Sequence, residues 1–134
     1  MKSYTDLEQS KKLAEILPVE SADMTWEQVT NSLTKDFTWK PTIGLDSAIK
    51  YNLFSYRNGY VLPCWSLAAL IEVLPDSIKD EDGVEFGLNI QKTYIEYYNP
   101  SMGALYATYH SIMSEDTVDA CYEMVLKLHE QKLL

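Results

Sequence analysis

Residues 85–98 read EFGLNIQKTYIEYY, and this stretch decides the fold class. Phe86, Leu88 and Ile90 fall at every second position, which is the spacing of side chains on one face of a β-strand. Aromatic and β-branched residues, which favour strands, continue to the end of the stretch. One strand of this length would far exceed the usual length of about 5–6 residues. We therefore predict two strands with a turn at 91–93. One long strand is the alternative, because that turn lacks Gly and Asn.

A short helix precedes these strands and lies between Pro63 and Pro75. The second proline ends the helix, because the residue before a proline avoids helical backbone angles. The apolar stripe of this helix consists of Trp65, Leu67, Ala68, Leu70, Ile71 and Leu74. Between the helix and the strands, residues 76–83 are predicted to form an acidic loop.

A longer helix follows the strands, after a turn at 99–103 and a third strand at 105–110. Ser114 or Asp116 is its predicted N-cap. Its apolar residues recur at helical spacing and are Val118, Cys121, Tyr122, Val125 and Leu128. Residues 65–134 are therefore predicted to form an α-β-β-β-α unit, in which helices pack on an antiparallel β-meander of three or more strands. The fold class is α+β.

The first half of the chain is less regular. Thr5 and Glu8 have the spacing of a capping box, which predicts an N-terminal helix at about 5–17. Residues 18–64 then form an irregular, mixed region. A second capping box, at 25–28, predicts a short helix inside it.

Other local signals in the mixed region are short. Residues 37–39 predict a strand that stops at Pro41. Residues 46–54 predict a helical turn or two. Asn58-Gly59 predicts a turn, which leads into a short strand at 60–62.

The chain carries a net charge of −9, with 11 Lys and Arg against 20 Asp and Glu. Nucleic-acid binders neutralise phosphates with clustered basic residues, so this balance disfavours DNA and RNA as partners. The α-β-β-β-α order resembles that of double-stranded RNA-binding domains, which place lysines at the start of the last helix. Here that stretch, 114–117, reads SEDT and would repel phosphate. An acidic surface suits a protein partner with a basic surface, although solubility alone explains it equally well.

The length of the chain suits one domain over residues 1–134 with its own hydrophobic core. Cys64 and Cys121 lie in apolar contexts and are predicted to be buried free thiols. The N-terminus has no apolar stretch typical of a signal peptide. The longest apolar run, 67–74, is far shorter than the about 20 residues that span a bilayer. We therefore expect a cytoplasmic protein that makes no membrane contact.

No recognisable catalytic or ligand-binding motif is present. His110 and His129 lack the spacing of a metal-binding pair, and neither Ser47 nor Ser66 lies in a nucleophile elbow. The glycines are scattered and form no phosphate-binding loop. We expect no cofactor, no metal site and no identifiable catalytic residue, which favours a non-enzymatic protein without excluding an enzyme.

Tyrosines are concentrated in and beside the predicted strands. Tyr94, Tyr97, Tyr98 and Tyr106 are the candidate partner-binding residues, because tyrosine rings are common in protein interfaces. The alternative is that one face of the sheet buries its rings while the other face tolerates them in water.

Three blocks of sequence carry a resemblance to known proteins. They are Lys12–Pro18 with Ser21–Met24, Leu62–Leu70 with Leu74-Pro75, and Asp119–Leu128. Together they resemble uncharacterised small proteins of gut Bacteroides-type bacteria and their phages or mobile elements. The second half is also similar in pattern to small phage proteins described as an αβα sandwich domain. Neither resemblance implies a catalytic residue.

The missing motifs and the resemblance favour a non-enzymatic accessory protein of a phage or mobile element that binds a protein partner. The alternative is a small enzyme, or a small-molecule-binding domain, with its site in residues 18–64. In that region Trp26, Trp39, Tyr51 and Arg57 lack a structural explanation. Nucleic-acid binding is a third hypothesis, which the charge disfavours.

Overall fold

The computed structural model describes residues 1–44 and 61–134. Within these residues the chain is α+β, as predicted, with helices and two antiparallel sheets. It divides into two compact units. The N-terminal unit is Tyr4–Ala69, and the C-terminal unit is Leu70–Leu134 together with Met1–Ser3. The prediction of one domain over residues 1–134 stays a prediction.

The N-terminal unit contains a helix, a short 3-10 turn at Val19–Ser21 and three strands. These elements are α1 (Leu7–Ala14), β1 (Met24–Thr30), β2 (Phe37–Ile43) and β3 (Val61–Cys64). The strands form an antiparallel sheet in the order β2-β1-β3. The short strand predicted at 60–62 is confirmed at Val61 and Leu62. The helical turn predicted at 46–54 and the Asn58-Gly59 turn lie outside the described residues.

Helix α1 begins two residues later than predicted, because its capping box is formed by Asp6 and Gln9. The Asp6 carboxylate accepts from the backbone N–H of Gln9 at 2.8 Å, and the Gln9 side chain accepts from the Asp6 N–H at 3.0 Å. Thr5, the predicted cap, is fully buried instead. Its backbone N–H donates to the carbonyl of Trp65 at 2.9 Å, and its hydroxyl accepts from the Trp65 N–H at 3.1 Å.

The short helix predicted at 25–28 is wrong, since these residues lie in β1. Thr25 pairs with Thr42 on one side and with Pro63 on the other, so the strand is held by both neighbours. Local capping signals are weak against two ladders of backbone hydrogen bonds. Trp, Val and Thr also favour strands intrinsically.

The prediction that a strand stops at Pro41 is also wrong, because β2 continues to Ile43. The Gly44 N–H donates to the Asp23 carbonyl. In an antiparallel ladder, hydrogen-bonded pairs alternate with non-bonded pairs, so the pair of Trp26 and Pro41 is non-bonded. The backbone nitrogen of Pro41 therefore points away from β1, toward the outer edge of the sheet. A proline costs nothing there, because no N–H is needed.

The C-terminal unit contains a four-stranded antiparallel meander in the order β4-β5-β6-β7. Its strands are β4 (Ser77–Lys79), β5 (Glu85–Ile90), β6 (Tyr94–Tyr98) and β7 (Thr108–Met113), and helix α3 (Thr117–Glu130) follows them. Helix α2 (Leu67–Val73) precedes them and contains the boundary between the two units. The predicted meander is confirmed, but residues 65–134 have the order α-β-β-β-β-α.

Two boundaries in this unit correct the sequence analysis. The loop predicted at 76–83 contains β4, a strand of three residues whose single apolar side chain gives no periodic signal. The strand predicted at 105–110 lies at Thr108–Met113 instead. A turn holds the residues before it, because the Tyr106 N–H donates to the Gly103 carbonyl at 3.1 Å.

Other boundaries agree with the predictions. The turn at 91–93 is confirmed, and the Gln91 N–H donates to the Tyr94 carbonyl at 2.8 Å across it. Asp116, one of the two predicted caps, caps α3 by accepting from the N–H groups of Val118 and Asp119 at 2.9 and 3.3 Å. Burial alone would raise the pKa of Asp116. The backbone N–H groups of Lys2, Asp119 and Val118, with the charge of Lys2, lower it instead.

Candidate functional site

Strand β6 has two chemically different faces. Ile95 and Tyr97 are fully buried, and helix α3 contacts β6 and β7. Tyr94, Glu96 and Tyr98 alternate with these residues and are partly exposed or exposed. Because side chains alternate across a strand, they lie on the opposite face of the sheet, which we call the outer face.

Glu96 lies at the centre of the outer face and is held by both neighbouring strands. One carboxylate oxygen accepts from the Asn89 side-chain amide on β5 at 3.0 Å. The other oxygen accepts from the Thr108 hydroxyl on β7 at 3.1 Å. Both donors are neutral, so they fix the carboxylate without neutralising its charge. No ion pair joins Glu96 to a lysine or arginine of the described residues.

Two tyrosines flank this carboxylate along the strand. Tyr94 is partly exposed and Tyr98 is 39% exposed. Each lies two residues from Glu96 on the same face, so the spacing along the strand is about 6.6–6.8 Å. Met113, which is 81% exposed, lies opposite Tyr94 on β7 and adds apolar area at one end of the face.

The structure divides the four tyrosines that the sequence analysis named. Tyr94 and Tyr98 lie together on the outer face. Tyr106 is 70% exposed but lies in the turn before β7, outside the strands. Tyr97 is fully buried in the core, and its hydroxyl donates to the Pro75 carbonyl at 2.8 Å. The accessible part of the candidate set is therefore Tyr94, Tyr98 and Tyr106.

The environment of Tyr97 matches a core residue. Burial raises its pKa far above the ordinary value, and the charges of Asp76 and Cys121 act in the same direction. The ring stays neutral and its hydroxyl remains a donor to Pro75. Tyr97 is thus placed to stabilise the inner face of the sheet rather than to meet a partner.

Glu96, Asn89 and Thr108 are the outer-face residues that the sequence analysis did not single out. The alternation of β6 places Glu96 between Tyr94 and Tyr98, which is a signal present in the sequence. Its two donors come from other strands, at positions fixed by the pairing of Asn89 with Glu96 and of Thr108 with Tyr98. Local sequence patterns do not determine the register between strands.

The four residues proposed for a site in 18–64 are only partly placed. Trp26 pairs with Pro41, and Gln28 pairs with Trp39, so both tryptophans lie on one face of the three-stranded sheet. The Trp26 indole N–H donates to the Thr5 carbonyl at 3.1 Å, and the ring edge contacts Tyr4 with centroids 5.7 Å apart. These contacts give Trp26 a structural role. Tyr51 and Arg57 lie outside the described residues.

The remaining candidates for chemistry have ordinary structural roles. Cys64 and Cys121 are buried and unbridged. Burial raises the pKa of Cys64, and it raises that of Cys121 to about 11, which disfavours the reactive thiolate. The Ser66 hydroxyl accepts from the Ala69 N–H at 3.2 Å at the start of α2, which is a structural role.

In residues 1–44 and 61–134, no group of three or more His, Cys, Asp or Glu side chains is arranged to hold a metal ion. Within the same ranges, no helix has the length and apolar character needed to cross a bilayer.

Comparison of the chain with family models, with curated proteins and with solved structures finds no match.

Proposed function

We propose that this chain is a non-enzymatic protein that binds a protein partner through the outer face of its four-stranded sheet. The partner presents a lysine or arginine side chain to Glu96, between the rings of Tyr94 and Tyr98. The observation that supports this proposal is the Glu96 carboxylate, which is fixed by Asn89 and Thr108 and forms no ion pair with a lysine or arginine of residues 1–44 and 61–134.

The chemistry of the outer face favours a cation. A carboxylate that already accepts two hydrogen bonds is held in one orientation and retains further acceptor positions for charged donors. A cation seated at Glu96 also comes near two tyrosine rings, and a ring whose face it meets attracts it by about 0.5–1 kcal/mol at exposed sites. Tyrosine adds contact area at little cost in side-chain entropy.

The net charge of the chain also favours a cationic partner. At a net charge of −9, the protein attracts a basic partner over roughly a Debye length, about 8 Å at physiological ionic strength. Such attraction raises the association rate more than the final affinity. The same charge repels phosphate, which is why a protein partner is proposed rather than a nucleic acid.

The biological setting is part of the proposal. An accessory role for a phage or mobile element of gut Bacteroides-type bacteria is supported by the resemblance of the three sequence blocks. A location in the cytoplasm is supported by the two buried thiols, Cys64 and Cys121, which form no disulfide. Both statements are proposals about context and do not affect the chemistry of the outer face.

Affinity capture from the native host, followed by titration of each captured protein in purified form, tests the function. The bait is used as wild type, as Glu96→Gln and as Glu123→Gln. Glu123 is exposed on α3, so its substitution makes the same change in charge away from the outer face. We expect a partner that binds the wild type and Glu123→Gln by calorimetry with equal affinity and binds Glu96→Gln at least about tenfold more weakly.

Two results would count against the proposal. In the first, every purified partner binds the three baits equally, so the outer face takes no part. In the second, the protein runs as a monomer and captures nothing that binds it directly.

A further inference from the structure

A cavity lies on the inner side of the sheet in the C-terminal unit, away from the outer face. Its volume is about 580 Å³, within the range of about 300–1,000 Å³ found for small-molecule sites. Its lining includes Lys79, Asp80, Glu81, Tyr109, His110 and Gln131. These residues come from the end of β4 and the turn after it, from β7 and from the C-cap of α3.

A β-bulge shapes the wall of this cavity. Tyr97 pairs with His110 and Tyr98 pairs with Thr108, so Tyr109 is an extra residue in β7. The Tyr109 ring packs on Phe86 of the inner face with centroids 5.3 Å apart, and on His110 with centroids 4.1 Å apart. The bulge thus brings two consecutive side chains to the cavity, a known use of bulges beside binding sites.

His110 provides an unsatisfied polar atom in this wall. The residue is 8% exposed, and its Nε2 atom is buried without a hydrogen-bond partner among the described residues. A buried polar atom left unpaired is unfavourable. Beside a cavity, such an atom is available to hydrogen-bond to a ligand that enters it.

The state of the imidazole defines what that ligand must offer. Burial and the nearby charge of Lys127 lower the pKa of His110, while a side-chain contact with Gln131 raises it. The lowered pKa favours the neutral ring. In a neutral imidazole Nε2 is either a donor or an acceptor, and a hydroxyl group can pair with it in both cases because it donates and accepts.

We propose that this cavity binds a small, neutral, polyhydroxylated ligand of the size of a simple sugar, with a hydroxyl group hydrogen-bonded to His110 Nε2. Charges of both signs line the cavity, with Lys79 opposed by Asp80 and Glu81, so neither a net anion nor a net cation is favoured. Asp80 is held in place by the N–H groups of Asp82 and Val84, which bond its carboxylate at 3.0 and 2.8 Å. The Tyr109 ring supplies a flat apolar wall.

Titration by NMR with the side-chain nitrogens of histidine as the probe tests this site. The ligands are a panel of monosaccharides and sugar alcohols, with simple carboxylates and alkylamines as comparison classes. We expect a saturable shift of the His110 Nε2 signal with at least one polyol at millimolar concentration. His110→Phe should weaken that binding by about tenfold, whereas His129→Phe, at an exposed histidine outside the cavity, should leave it unchanged.

A second variant keeps the test informative if His110→Phe does not fold. Gln131 is exposed just after α3 and lines the cavity beside His110, so Gln131→Ala preserves the core and removes one polar side chain from the site. It should weaken polyol binding and move the histidine signals. No saturable binding of any polyol, equal binding of carboxylates or amines, or equal binding by these variants would overturn the proposal. Glu96→Gln should bind the polyol as the wild type does, which separates this site from the outer face.

Discussion

Tyr97 and Tyr98 are neighbours in the chain, yet the structure gives them opposite roles. Tyr97 is fully buried and its hydroxyl is satisfied by the Pro75 carbonyl, whereas Tyr98 is 39% exposed beside Glu96. The residue type is the same, so the difference comes from strand alternation alone. The comparison teaches that the tyrosine-rich stretch serves two faces, one for the core and one proposed for a partner.

The two faces also differ in how their polar groups are paired. On the inner face, the buried His110 Nε2 has no hydrogen-bond partner in the part of the chain that the structure describes. On the outer face, Glu96 shares its carboxylate between neutral donors from both adjacent strands. Substitutions on the inner face should therefore change stability, and substitutions on the outer face should change binding.

The largest expected effect is on the inner face, at Tyr97. Tyr97→Ala removes a fully buried ring and should lower the free energy of unfolding by about 3–5 kcal/mol. Tyr97→Phe keeps the ring and loses only the bond to Pro75, which should cost about 1 kcal/mol. Urea unfolding of both variants beside Tyr98→Ala measures the difference. Equal losses for Tyr97→Ala and Tyr98→Ala would show that the two faces are not distinct.

A smaller effect is expected at Asp116, which caps the helix that covers the inner face. Asp116→Ala leaves the N–H groups of Val118 and Asp119 without their acceptor and should cost about 1–2 kcal/mol. Asp116→Asn is the control, because asparagine is an equally good N-cap. Thermal unfolding compares the two variants. If asparagine and alanine destabilise equally, the charge of Asp116 and its bond to Lys2 matter more than the cap.

The pH dependence of stability should report His110. Its pKa in the folded protein lies below the ordinary value of about 6.5, so the unfolded chain binds the proton more readily. Stability should therefore fall as pH drops below about 6.5, down to the folded pKa. Other charged groups lie nearby, because Asp80 and Glu81 also line the cavity and Lys127 lies near the ring. The stability of the wild type is therefore compared with that of His110→Gln at each pH, which isolates the contribution of His110. If His110→Gln shows the same dependence of stability on pH as the wild type, the effect belongs to another group.

The smallest effect on stability is expected on the outer face. Glu96→Gln keeps the shape of the side chain and one acceptor, and it should change the free energy of unfolding by less than about 0.5 kcal/mol. Chemical denaturation beside Glu123→Gln checks this value. A loss above about 1 kcal/mol would show that Glu96 and its bonds to Asn89 and Thr108 stabilise the sheet.

The sequence predicts the C-terminal unit well for a physical reason. Its strands and its last helix each carry a regular apolar period, and turns at 91–93 and 99–103 separate them. Strand β4 escapes prediction because three residues with one buried side chain, Ile78, carry no period.

The N-terminal unit is predicted poorly because long-range pairing decides its structure. The capping signal at 25–28 is real but weaker than the pairing of β1 on both sides. Thr5 fits a capping box by spacing, yet its bonds to Trp65 remove it from that role. Contacts across 60 residues cannot be read from a local pattern.

In the candidate site, too, some residues follow from local sequence pattern and others depend on long-range pairing. Tyr94 and Tyr98 follow from composition, and their shared face with Glu96 follows from alternation. Alternation also places Tyr97 on the other face, and the contact of α3 with the strand makes that face the buried one. Asn89 and Thr108 require the register of three strands, and the cavity at His110 requires the bulge in β7.

The central claim is that the outer face takes a cationic side chain between Tyr94 and Tyr98. It is tested most directly by NMR of the tyrosine ring signals during titration with a short capped arginine peptide. The same peptide with citrulline, which keeps the shape and loses the charge, is the control. We predict that the rings of Tyr94 and Tyr98 shift with arginine only, that Tyr97 does not respond, and that Glu96→Gln abolishes the shifts. Equal shifts with citrulline or in Glu96→Gln, or no shift at either ring, would contradict the claim.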